Sequence, residues 1–187
     1  MTTVFTNPAT GADAAADAYI RAVLDMLGTR DPLAVLAGTP AGLRSAVSEV
    51  PGTALRVPEA PGRWSVGEVF AHLADSELVW AFRLRMILGQ DRPTLGGYDQ
   101  DAWARRMQYA ELPPAESLDR FERARTWNLQ LLLPLPDEDL DRVGVHAERG
   151  EESVRHMIRL YAGHDLVHAA QVDRILATVA LGAPSDG

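Results

Sequence analysis

The sequence predicts an all-α fold: a single domain built around a bundle of four main helices. Two observations lead to this class. Apolar residues make up 47% of the 187 residues, enough to bury a sizeable core in one domain. They recur at helical spacing in long runs that begin at capping residues and end at glycine or proline. No stretch reads as a convincing strand, and there is no internal repeat, so long connections are expected to cross the ends of the bundle.

The elements follow in order. Residues 1–11 are small and polar and read as a flexible tail, as do residues 183–187; one domain is expected over 12–182. From Asp13, residues Ala16, Tyr19, Ile20, Val23, Leu24 and Leu27 fall on one stripe, and Gly28 ends that helix. Asp31-Pro32 opens a short helical piece to about Ala37. Thr39-Pro40 reads as an N-cap followed by an N1 proline, starting a separate helix to about Val50. A loop rich in proline and glycine follows, to Arg63. Ser65-Val66-Gly67-Glu68 is a capping box, opening a long helix to about Leu88. Asp99 can cap a short helix through Met107, Pro113-Pro114 begins a long helix to about Leu133, and the last helix runs from about Glu151 to Leu181.

Composition excludes several function classes. The net charge of −8 argues against nucleic acid as a partner, since phosphate binding is driven by clustered cations. There is no cysteine, hence no disulfide, no protein thiol nucleophile and no thiolate metal site. Lysine is also absent, and the 18 basic residues are all arginine, which removes Schiff-base chemistry and a P-loop lysine. No apolar run approaches the roughly 20 residues that span a bilayer, so no membrane partner is expected. No basic region precedes an apolar run at the N-terminus, and a cytoplasmic protein is expected.

Chemistry is concentrated in the histidines. On the last helix, Val154, Met157, Tyr161, Val172 and Ile175 form one apolar stripe, and His164 and His168 fall inside it at i and i+4. Two imidazoles on an apolar face must have their nitrogens bonded, and a shared metal or core hydrogen bonds can both do this. His72 stands at the edge of the apolar stripe of the Ser65 helix, where it can reach the same site. Three imidazoles leave coordination positions open, as catalysis needs. Glu77 lies in the middle of that stripe. It can orient a ligating histidine, act as a base, or pair with Arg125 on the apolar face of the Pro114 helix. Asn128 shares that face and can line a cavity or cap a polar network. Asp165 replaces the glutamate of the zinc-protease signature within His164-Asp165-Leu166-Val167-His168, so a peptidase is not expected; it is a partner for the site or faces solvent. His146 and His156 read as surface residues.

Two segments also carry a resemblance. Arg63 to Glu77 (RWSVGEVFAHLADSE) is similar to the start of the second helix of the DinB/YfiT-like superfamily, and Tyr161 to Val172 (YAGHDLVHAAQV) to its last helix. The spacing of Gly89-Gln90-Asp91-Arg92-Pro93 and of Tyr98 to Trp103 is similar too, and the likeness extends over about residues 13 to 180. It implies an up-down-down-up four-helix bundle, a divalent metal, nickel or zinc first, held by His72, His164 and His168, and a homodimer. It also implies a small-molecule substrate: members of such families transfer low-molecular-weight thiols of the bacillithiol or mycothiol type, and many others are known only as metal-dependent hydrolases. Three readings therefore stand open. The chain is a metal-dependent thiol transferase; or a hydrolase using metal-activated water, with Glu77 or Asp165 taking the proton; or a non-enzymatic dimeric module with a structural metal.

Overall fold

The computed structural model describes residues 13–182, and side-chain surroundings over 18–180. Both expected tails lie outside the described residues. Seven helices are described: α1 (Asp13–Leu27), α2 (Pro32–Ala46), α3 (Val66–Gly89), α4 (Gln100–Arg106), α5 (Pro114–Leu132), α6 (Asp137–Leu140) and α7 (Val154–Gly182). Their starts carry the predicted chemistry. Ser65 Oγ accepts from the Glu68 N–H at 3.3 Å while Glu68 Oε2 accepts from the Ser65 N–H at 2.8 Å, closing the capping box of α3. Asp99 accepts from the Ala102 N–H at 2.9 Å and starts α4.

Two expectations need correction. The helical pieces expected on either side of Thr39-Pro40 are one helix, α2, with Pro40 inside it. Its N-cap is Asp31, and Thr39 Oγ1 donates back to the Val35 carbonyl at 2.8 Å instead of capping a new helix. A small sheet also exists where no strand was expected. It comprises β1 (Thr94–Leu95), β2 (Val143–His146) and β3 (Gly150–Ser153), with β1 parallel to β2 and β2 antiparallel to β3. Segments of two and four residues are too short to display a period-2 signature, and β3 takes the first residues expected of the last helix.

Two apolar clusters define the bundle. One joins Leu36 of α2, Trp80 and Leu84 of α3, Leu132 of α5 and Met157 of α7. The other joins Leu43, Val69 and Phe70, Leu118 and Phe121, and Val172 and Ile175 of the same four helices. From the first cluster to the second, residue numbers rise along α2 and α7 and fall along α3 and α5. The four helices therefore run up, down, down and up. Helix α1 packs on α7, and Gly163 permits a close approach there: a Cβ on it would lie 2.2 Å from the Val23 carbonyl oxygen.

Between the two clusters lies a polar layer. It contains His72, Ser76 and Glu77 of α3, Arg125 and Asn128 of α5, and His164, Asp165 and His168 of α7. Most of these side chains are fully buried. Buried polar groups persist only when bonded, and this layer is where the site is built.

Candidate metal centre

The first half of the polar layer is a histidine triad. His164 Nε2 lies 3.2 Å from His72 Nε2 and 3.1 Å from His168 Nε2. Burial drives the His72 and His164 imidazoles well below their ordinary pKa, and the neighbouring histidines push the same way. Burial also lowers His168. All three are therefore neutral at pH 7, and each offers a lone pair. Gln171 fixes one tautomer. Its Oε1 accepts from His168 Nδ1 at 2.8 Å, so the ring proton sits on Nδ1 and Nε2 is bare. The Trp64 ring packs against His72 with centroids 5.0 Å apart.

These residues fit a divalent cation. One nitrogen of His164 carries one proton at most and cannot serve two neighbouring nitrogens, whereas a shared cation takes the lone pairs of all three. The His164 nitrogen lies 3.1–3.2 Å from those of its two neighbours, and the three ligand nitrogens all lie within 4.8 Å of one another, close enough to be held by one cation. Among the described residues the ligand group consists of His72, His164 and His168. Three protein ligands leave the coordination open, as a catalytic site requires and a closed structural site does not.

The second half of the layer is held by Arg125. Its Nη1 and Nη2 donate to both oxygens of Asp165 at 2.5 and 2.9 Å, and Nη2 also donates to Glu77 Oε1 at 2.8 Å. Asn128 Nδ2 donates to Glu77 Oε2 at 2.9 Å and to its carbonyl at 3.1 Å. Glu77 and Asp165 are each 1% exposed, so both carboxylates are bound to neighbours and closed off from solvent. Burial raises the pKa of Glu77, and Arg125 offsets this in part. Asp165 does not face solvent.

Two openings each border one histidine of the triad. A broad groove is lined by His168, Gln171, Trp64 and Arg63. A smaller cavity is lined by His164, Ser76, Tyr98, Arg83 and His146. Ser76 Oγ stands 3.4 Å from His72 Nε2 and 3.1 Å from the Tyr98 hydroxyl. His146, expected at the surface, is 2% exposed and receives the Arg83 guanidinium on Nε2 at 3.1 Å. Strand β2 carries it inward, which a helix-only reading could not anticipate. His156 is half-buried. Gln171 and Arg83 belong to no metal-ligand motif in the sequence, and spacing is their signal: Gln171 lies one turn beyond His168, and Arg83 one turn after Trp80 on the buried stripe of α3.

Comparison with known proteins agrees with this architecture. The sequence profile of the DinB superfamily matches residues 36–172. The chain belongs to the DinB superfamily. A Bacillus cereus relative named "Putative metal-dependent hydrolase" is 31% identical over 133 residues, covering 71% of this chain and 76% of that protein. A relative from Oceanobacillus iheyensis with the same kind of name is 31% identical over 130 residues, covering 70% of this chain and 75% of its own. The solved structure of YfiT from Bacillus subtilis, described as a probable metal-dependent hydrolase with an unusual four-helix bundle topology, superposes with a TM-score of 0.70. That match covers 89% of both chains at 24% identity, a likeness of fold. The DinB fold thus accounts for the up-down-down-up order, and the triad lies on its α3 and α7. No helix among the described residues is long and apolar enough to cross a membrane.

Proposed function

We propose that this DinB protein is a divalent-metal-dependent enzyme that transfers a low-molecular-weight thiol, of the bacillithiol or mycothiol type, to an electrophilic small molecule. The observation that carries this reading is the pair of openings that border the triad, the groove at His168 and the cavity at His164. Two reactants can approach the same three nitrogens from different elements of the fold, which supplies proximity. His72, His164 and His168 would hold the ion, and zinc or nickel suits three imidazoles. When bound, the ion supplies Lewis acidity that lowers the pKa of a thiol or a water on its open position.

The chain's own residues do the rest. Gln171 orients His168. Arg125 fixes Asp165, which neighbours His164 in sequence, and so stiffens α7 beside the triad. Ser76 and Tyr98 form a hydroxyl pair next to His72 that can hold a proton. Burial raises the Tyr98 pKa and keeps its phenol neutral, a donor. Glu77 and Asp165 are held by Arg125 and Asn128, so neither stands free as a general base; a thiol is more acidic than water and depends less on such a base, which favours the thiol.

Hydrolysis is the second reading, favoured by the names of the relatives. In it, Glu77 or Asp165 would take the proton from water after release from Arg125. A homodimer is proposed as well, supported by Leu78, Phe82 and Trp127, which are 62%, 64% and 54% exposed on the adjoining helices α3 and α5. The deciding experiment gives metal-loaded protein monobromobimane with bacillithiol or mycothiol, and p-nitrophenyl esters in parallel. Metal-dependent conjugation that is absent in His168→Ala supports transfer. Ester hydrolysis lost in Glu77→Gln, without conjugation, overturns it in favour of the hydrolase.

A further inference from the structure

Arg83 is a buried cation with no carboxylate in contact. Its side chain emerges from the apolar stripe of α3, and the residue is 5% exposed. Nη2 donates to the Gly96 carbonyl at 2.6 Å and to His146 Nε2 at 3.1 Å. Its Nε is buried with no partner, and Arg83 makes no ion pair with any described residue. A guanidinium taken out of water with neither a carboxylate nor a full set of acceptors is costly, so an anionic ligand is the expected remedy.

The neighbouring groups show what kind of anion. Arg149 also borders the cavity, but Glu152 accepts from its Nε and Nη2 at 2.5 and 2.9 Å, so that charge is met. His146 is no counter-ion. The Glu148 backbone N–H points at its Nδ1 at 3.2 Å and Arg83 at its Nε2, an arrangement that opposes protonation. Tyr98 and Tyr161 complete the wall as neutral phenols. Glu148 stands exposed at the rim, where solvent screens its charge. Two guanidiniums, the buried Arg83 and the half-buried Arg149, thus share one buried carboxylate, Glu152, which leaves one positive charge in excess among these groups and matches a monoanion better than a dianion. Its volume of about 60 Å³ is room for roughly four waters, the scale of a carboxylate and small for a phosphorylated sugar.

We propose that this cavity binds the carboxylate of the substrate on Arg83, and that the remainder of the substrate reaches the triad at His164. The substrate class is then a small electrophile that carries a carboxylic acid. The inference rests on the triad being the reaction site, but its test reads binding and not turnover.

The probe is sodium acetate, titrated calorimetrically into the metal-loaded full chain at constant ionic strength, with acetamide and inorganic phosphate as parallel arms. Saturable acetate binding, no acetamide binding and weaker phosphate binding are expected. Arg83→Gln should weaken acetate by about tenfold to a hundredfold, the usual loss for a hydrogen bond to a charged group. Arg83→Lys, which keeps the charge, guards against misfolding of the neutral variant and should weaken acetate less. Acetate binding unchanged in Arg83→Gln would place the anion on the metal and overturn the proposal. So would an absence of binding to the unmodified protein, or phosphate binding tighter than acetate. Failure of thiol transfer alongside Arg83-dependent acetate binding would sink the transferase reading and leave the anion site standing. Transfer without any acetate binding would sink the anion site alone.

Discussion

Arg125 supplies the hydrogen bond that Pro40 cannot. Pro40 has no N–H for the Leu36 carbonyl four residues before it in α2, and Arg125 Nη1 donates to that oxygen at 2.8 Å across the bundle. The same guanidinium grips Asp165 and Glu77. One buried cation thus ties α2, α3 and α7 to α5 at the level of the metal centre.

Removing that cation leaves two carboxylates without it in a dry layer. Arg125→Met is expected to cost about 3–5 kcal/mol at neutral pH, measured by urea denaturation. Burial already raises Glu77 above the ordinary carboxylate range. A raised pKa gives a contribution that is present at low pH and lost as pH rises, and loss of Arg125 raises it further. The variant should therefore recover stability relative to wild type as pH falls toward 4. Pro40→Ala returns a donor to Leu36, so Arg125→Met should cost about 1 kcal/mol less in that background. Strict additivity would contradict the link between Pro40 and Arg125.

Gln171→Leu should loosen the metal without disturbing the fold. The leucine cannot accept from His168 Nδ1, so the ring loses its fixed tautomer. Metal affinity in a chelator competition is expected to fall about 10–100-fold, the usual effect of losing an outer partner. Gln171→Glu keeps the acceptor and should retain most of the affinity. Equal affinities for Gln171→Leu and wild type would mean that His168 is oriented by packing alone.

The helices and the histidine triad were legible in the sequence because they depend on local spacing. His164 and His168 are one turn apart on an apolar stripe, and the Ser65–Glu68 capping box starts the helix that carries His72. Pro40 misled because a proline usually marks a helix start; here a residue 85 positions downstream repairs the missing bond, which local reading cannot detect. His146 was misplaced for the same reason. Its burial comes from β2 pairing with β1, about 50 residues away in sequence, and with β3 through short strands. Arg125 was legible as a partner for Glu77, but its grip on Asp165 needed the tertiary fold.

His146 gives the protein an acid-sensitive point outside the triad. Burial, then Arg149 and Arg83, push its pKa down to about 4, with Glu152 opposing. The unfolded chain takes up the proton at the ordinary histidine value, so this contribution is complete above about pH 6.5 and is lost as pH falls toward 4. Thermal melts of His146→Gln and wild type, compared across that window, should show a shallower loss in the variant. Parallel profiles would assign the acid sensitivity elsewhere.

The outer face of α3 and α5 makes its own prediction. Phe82 is 64% exposed one turn from Leu78, and Arg85 covers the Trp127 ring at 3.8 Å. Sedimentation should give a dimer for the wild type and a monomer for Phe82→Glu, with metal content retained. A monomeric wild type would remove the proposed homodimer.

Metal content tests the central claim most directly. Elemental mass spectrometry on tag-free protein, beside His164→Ala and His168→Ala, should find about one divalent ion per chain in wild type and almost none in either variant. A wild type that carries no ion and takes none up on incubation, or variants that bind as well as wild type, would contradict the three-histidine metal centre.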